Sequence, residues 1–152
     1  MTTWQIDAEP APLAIDPAAT ALVIIDMQKD FLYPDGYGAF LGNDVTLLQR
    51  AIAPIQAVLA AARARGMLVI HTREGHRPDL SDLPANKRWR SRRIGADGVG
   101  IGDPGPMGRL LVRGERGHEI VPELAPQSGE AVVDKPGKGA FCATDLDLIL
   151  HN

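Results

Sequence analysis

Asp26 and Lys135 are the two side chains best placed to do chemistry together, because each stands at the end of a short apolar run. Ala21 to Ile25 lead into Asp26, and Ala131 to Val133 lead into Asp134 and Lys135. Open α/β sheets hold their ligands outside the carboxyl ends of buried strands, so both groups can open onto one crevice. A carboxylate beside an ammonium in a partly desolvated cleft has a shifted pKa, which suits it to move protons. An ordinary salt bridge uses the same residue types, and composition alone does not separate the two readings.

The remaining reactive groups are fewer. Cys142 is the single cysteine, so no internal disulfide forms, which fits a reducing cytoplasm. It precedes a predicted helix, where backbone N–H groups could lower a thiol pKa. Its preferred reading is nevertheless a small, buried, inert side chain. His71 and His76, with Glu74 between them, carry metal-ligating atoms but lack helical i, i+4 spacing and a third convergent ligand. Neither a metal nor a cofactor is expected. Gly98-Val99-Gly100-Ile101-Gly102 is no dinucleotide fingerprint, since no strand feeds it and no helix follows directly. Lys87-Arg88-Trp89-Arg90-Ser91-Arg92-Arg93 has an aromatic among its cations, a pattern that single-stranded nucleic acid could use. The net charge of −3 argues against such a partner and for a solvated loop or an intersubunit contact.

The apolar pattern supplies the elements that must position these groups. Ala21 to Ile25 suit a strand buried on both faces, followed by a Gly- and aromatic-rich loop, Leu32 to Asn43. Leu48, Ile52, Ile55, Val58, Leu59 and Ala62 recur at helical spacing between Asp44, a candidate N-cap, and Gly66, a candidate stop. Pro54 inside that pattern predicts a kink or two abutting helices. Met67 to His71 reads as a second strand, Glu130 to Asp134 as a third, and a helix begins near Thr144. Strand, helix, strand in this order makes a right-handed βαβ unit. Residues 72–129 hold most of the glycines, with little periodicity beyond Leu110-Leu111-Val112, and read as a long loop, a lid or a subunit contact.

A chain of 152 residues, 45% apolar, supports one domain with a real core. No apolar segment approaches the length of a membrane span, and the acidic, Pro/Ala-rich start from Met1 to Asp16 lacks a signal-peptide pattern. The expectation is a cytoplasmic protein without membrane or nucleic-acid partners. Three strands fall short of the roughly five or six usual in such sheets, so residues 1–152 are expected to be the N-terminal portion of a larger domain.

Val23-Ile24-Ile25-Asp26-Met27-Gln28-Lys29-Asp30-Phe31 resembles the opening signature of the isochorismatase-like cysteine hydrolases. Asp134-Lys135-Pro136-Gly137-Lys138-Gly139-Ala140-Phe141, continued by Thr144-Asp145-Leu146, resembles their second block. The likeness covers nearly the whole chain beyond the first dozen or so residues. Its middle, His71-Thr72-Arg73-Glu74-Gly75-His76-Arg77-Pro78, with Leu83 to Arg90 and Ile101 to Pro106, looks most like biuret amidohydrolases.

The resemblance implies a three-layer, Rossmann-like, doubly wound and mostly parallel α/β fold. It also implies Asp26 as general base, Lys135 as the triad lysine, and a nucleophilic cysteine about thirty residues beyond that lysine, past Asn152. The reaction would convert biuret to allophanate and ammonia through a thioester, with Phe31 walling the pocket and Arg73 touching a substrate carbonyl. Both of those residues also suit structural roles. Family precedent implies a homodimer or homotetramer. The alternatives are another carbamoyl or ureidoacrylate-type amidohydrolase, or a nucleophile-free binding subunit if the chain were complete.

Overall fold

The computed structural model describes residues 3–152; Met1 and Thr2, which open the acidic N-terminal stretch and the domain expected over 1–152, lie outside the described residues. In chain order the elements are β1 (Trp4–Ile6), β2 (Leu13–Ile15), β3 (Ala21–Ile25), α1 (Lys29–Leu32), α2 (Tyr37–Phe40), α3 (Val45–Gln49) and α4 (Ile52–Ala64). They continue as β4 (Leu68–Glu74), α5 (Ala85–Ile94), β5 (Pro104–Gly105), β6 (Gly108–Arg109), β7 (Ala131–Lys135) and α6 (Leu146–His151).

β3, β4 and β7 form a parallel sheet in that spatial order, with β4 in the middle. Successive side chains of β4 point to opposite faces. Val69 joins Ile24, Leu59, Ala62, Val121 and Leu124 on the α4 side, whereas Ile70 joins Val133 and Leu146 on the α6 side. Helices therefore cover both faces, as the doubly wound expectation requires. β4 runs further than its apolar stretch, to Glu74, because Arg73 and Glu74 pair in register with Asp134 and Lys135 of β7.

The predicted long helix is two abutting helices. Asp44 caps α3 by accepting from the Thr46 N–H at 3.0 Å, and the chain re-starts at Ile52. Pro54 lies in the first turn of α4, where its missing N–H has no intrahelical partner to lose. Gly66 takes a φ of +66° just beyond the helix, the left-handed geometry of a helix stop. One expectation needs correcting: Val45–Ala64 is long and apolar enough by composition to cross a membrane. Its alanines raise its hydropathy; here the segment breaks between α3 and α4 and buries Leu59 and Ala62 against the sheet.

Residues 75–130 are more structured than their sequence promised. They contain α5 and the β5–β6 hairpin, and they bury Leu110, Leu111, Val112, Val121 and Leu124 almost completely. α5 was invisible because it has no apolar stripe: Trp89 and Ile94 are 62% and 59% exposed, and Ser91 is its one buried residue. Arg93 stacks on Trp89, and Arg92 forks onto Asp103.

Candidate active site

Asp26 leaves β3 with a φ of +53°, an uncommon conformation that Asp tolerates better than most residues. Its N–H donates to the Thr72 carbonyl at 3.1 Å, and the Asp26 carbonyl accepts from the Gln28 N–H at 2.8 Å. This turn aims the carboxylate sideways across the end of β4. There Oδ1 accepts from the Thr72 hydroxyl at 2.7 Å and Oδ2 receives the Lys135 ammonium at 2.6 Å. Lys135 is 1% exposed, and its Nζ also donates to the Gly137 carbonyl at 3.0 Å. The two strand-end groups thus meet above the central strand.

A second carboxylate stands beside them. Glu74 Oε2 lies 3.7 Å from the Lys135 ammonium, while Oε1 accepts from Lys87 of α5 at 2.7 Å. Lys87 also donates to His76 Nε2 at 3.0 Å and to the Pro136 carbonyl at 2.8 Å. Burial first, and then the Lys87 ammonium, hold His76 below the usual imidazole range. It is therefore neutral, with Nδ1 donating to Asp82 at 3.1 Å. Arg113 closes the row, 3.4 Å from Asp82.

Gln28 and Asp30 hold the surrounding chain. Gln28, fully buried, accepts the Glu74 N–H at 2.7 Å and donates to the carbonyls of Glu74 and His118 at 3.0 and 3.1 Å. Asp30, 1% exposed, accepts the Leu111 N–H at 2.9 Å; burial pushes its carboxyl above the usual range against that hydrogen bond. Gly117 packs so closely on this carboxylate that a Cβ would stand 2.4 Å from Oδ1. These clamps bind the long middle segment to the strand ends.

A cavity of about 190 Å³ adjoins the ion pairs through Glu74 and Lys87. Phe31, Tyr37, Leu41, Ile101 and Leu111 give it apolar walls, and Arg90 and Lys138 stand as exposed cations at its margin. Phe31 thus walls a pocket, packing edge-on against Tyr37 with ring centroids 6.4 Å apart. Burial, and then the Glu74 charge, push the Tyr37 phenol up to about 12, so it stays protonated.

Arg73 is not brought to this cavity. Its guanidinium forks onto Asp134, its register partner on β7, at 2.7 and 3.0 Å. Cys142 departs from expectation: it is exposed, in a stretch of turns where Phe141 is also 63% exposed. His71 and His76 separate rather than converge, His71 Nε2 facing Glu130 at 2.9 Å. Thr72, Lys87 and the carboxylate role of Glu74 went unread in the sequence.

His118 is 2% exposed, lies over Gly75, and has Nε2 3.6 Å from Asp134. Burial, with the Arg73 charge second, lowers its pKa to about 4 from an ordinary 6.5. The unfolded chain therefore binds the proton first as pH falls. Stability owed to this residue is complete above about pH 6.5 and is lost as pH drops through about 4. Denaturation midpoints in urea should decline over that window, and His118→Gln should flatten the decline; an unchanged slope would remove His118 as its cause.

The isochorismatase-domain family model matches residues 20–152. A cysteine hydrolase from Pseudomonas syringae pv. phaseolicola is 31% identical, with a TM-score of 0.66 over 90% of this chain and 55% of that one. An isochorismatase family protein from Desulfovibrio vulgaris is 36% identical, with a TM-score of 0.63 over 86% of this chain and 60% of that one. An N-carbamoylsarcosine amidase from Thermoplasma acidophilum, 24% identical with a TM-score of 0.54, shares the fold. The chain thus spans less than two thirds of the length of these structures.

Proposed function

The chain belongs to the isochorismatase-domain family, and from that premise we propose that its protein is a cysteine hydrolase cleaving a C–N bond of a small ureido compound, with biuret as substrate. The observation that carries the reading is the buried Lys135–Asp26 pair at 2.6 Å, held at the carboxyl ends of parallel strands. Asp26 takes the proton of a cysteine thiol, and the thiolate attacks the substrate carbonyl. Lys135 orients the carboxylate and offsets the charge that develops on the tetrahedral oxyanion side. Collapse expels ammonia, with Asp26 returning the proton, and leaves a thioester. Asp26 then deprotonates water, which releases allophanate and restores the thiol.

We assign that cysteine to a strand beside β3, outside residues 1–152. The chain crosses from β3 to β4 over the α4 face, and such parallel crossovers are right-handed as a rule. α6 packs on the opposite face, so a right-handed crossover from β7 travels the other way, past β4 to the outer side of β3. Leu22, Ile25, Ile55 and Val58 line an apolar groove along that side, with Ile25 64% exposed, which suits a further strand. Its carboxyl end would stand beside Asp26, at the switch point where such sheets bind ligands. A reduced thiol fits the proposed cytoplasmic location, and a homodimer or homotetramer is part of the same reading.

The test is ammonia release from biuret by the full-length protein, with and without a thiol alkylator. Release abolished by alkylation is the expected result; no release from biuret or any other ureido compound would overturn the proposal. Arg90 and Lys138 at the cavity margin favour, as a second reading, a carbamoyl compound bearing a carboxylate. A higher kcat/KM on such a compound than on neutral biuret would select it.

A further inference from the structure

We propose that Lys87 is a positioning residue for the Asp26–Lys135 pair, acting through Glu74. This rests on the reading of Asp26 and Lys135 as the proton-handling pair. Lys135 is a single ammonium facing two carboxylates, Asp26 at 2.6 Å and Glu74 at 3.7 Å. Left alone, the trio would carry an excess negative charge, and Glu74 would compete with Asp26 for the cation. Lys87 takes the other Glu74 oxygen at 2.7 Å, so each lysine has its own carboxylate oxygen and the four charges balance.

The remaining contacts of Lys87 support the same role. An ammonium has three N–H donors, and the acceptors here are Glu74 Oε1, His76 Nε2 and the Pro136 carbonyl. Pro136 directly follows Lys135, so Lys87 ties α5 to the turn that carries the catalytic ammonium. His76 can accept only while neutral, and its other nitrogen is fixed by Asp82, whose second oxygen meets Arg113. Lys87 lines the cavity, yet its donors are all engaged, so it shapes the site rather than gripping substrate.

The test compares Lys87→Met, Lys87→Arg and the double variant Glu74→Gln/Lys87→Met in the full-length protein. Loss of the Lys87 charge should lower kcat by roughly tenfold or more while KM changes little. The double variant should recover most of kcat, because the uncompensated carboxylate is gone with its partner. Lys87→Arg should retain turnover better than Lys87→Met. A crystal structure of Lys87→Met should show the Lys135 ammonium displaced from Asp26 toward Glu74. Should Lys87→Met not fold, the double variant alone still decides, since it must fold and turn over near the wild-type rate.

A double variant no better than Lys87→Met, a change in KM alone, or an unmoved Lys135 would overturn the inference. Absence of any hydrolysis by the wild type would instead defeat the functional reading, leaving the displacement of Lys135 to be judged from the crystal structure.

Discussion

Asp26→Asn is expected to lower turnover of a ureido substrate by about a thousandfold, the scale of losing a general base. The substitution is nearly isosteric, so the Thr72 and Lys135 contacts keep a partner atom and the turn at Asp26 is retained. What disappears is the ability to take a proton from the nucleophile and return it to the leaving amine. Both half-reactions use that step, so KM should change far less than kcat. The folded state weakens as well, because the almost fully buried Lys135 loses its nearer counter-charge and keeps Glu74, 3.7 Å away, as its remaining carboxylate. Steady-state kinetics on the full-length protein decides the matter. Activity within about tenfold of wild type would remove Asp26 from the mechanism.

The second large effect is structural. Gln28→Ala takes the side-chain partner from three backbone groups, the partly buried Glu74 N–H and carbonyl and the buried His118 carbonyl. Each such group costs about 1–3 kcal/mol when stranded, so a net loss of about 3 kcal/mol is expected after local relaxation. Urea denaturation at neutral pH measures it. Because Gln28 fixes the backbone of Glu74, kcat should fall together with stability. A loss below about 1 kcal/mol would mean that water replaces the amide without cost.

The Asp26 and Lys135 positions were legible because each ends an apolar run, and a parallel sheet gathers its strand ends on one side. The split of α3 from α4 was legible in Pro54, and the stop at Gly66 in its missing Cβ. The Arg73–Asp134 pairing was not legible, because the apolar run marks β4 only as far as His71. Continued to Glu74, strand alternation puts Thr72 and Glu74 toward the site and turns Arg73 away, onto Asp134. The Glu74–Lys87 pair was not legible, since a helix without an apolar stripe brings it together. The exposure of Cys142 was not legible, since it depends on which elements cover the turns around it. Val45–Ala64 shows the same limit in reverse, its composition describing a membrane span and its packing a sheet-covering layer.

The pairing of Asp26 with Lys135 joins residues 109 positions apart, and neither lies on a strand adjacent to the other. Two non-local pairings, β3 with β4 and β4 with β7, must both exist before the carboxylate meets its cation. Such long-range parallel contacts form late, because loop-closure entropy opposes them until the whole sheet is assembled. The ion pair therefore requires both strand pairings to be in place. A nascent chain that has closed only β3–α4–β4 holds an acid without its ammonium, and acquires the complete pair only when β7 arrives.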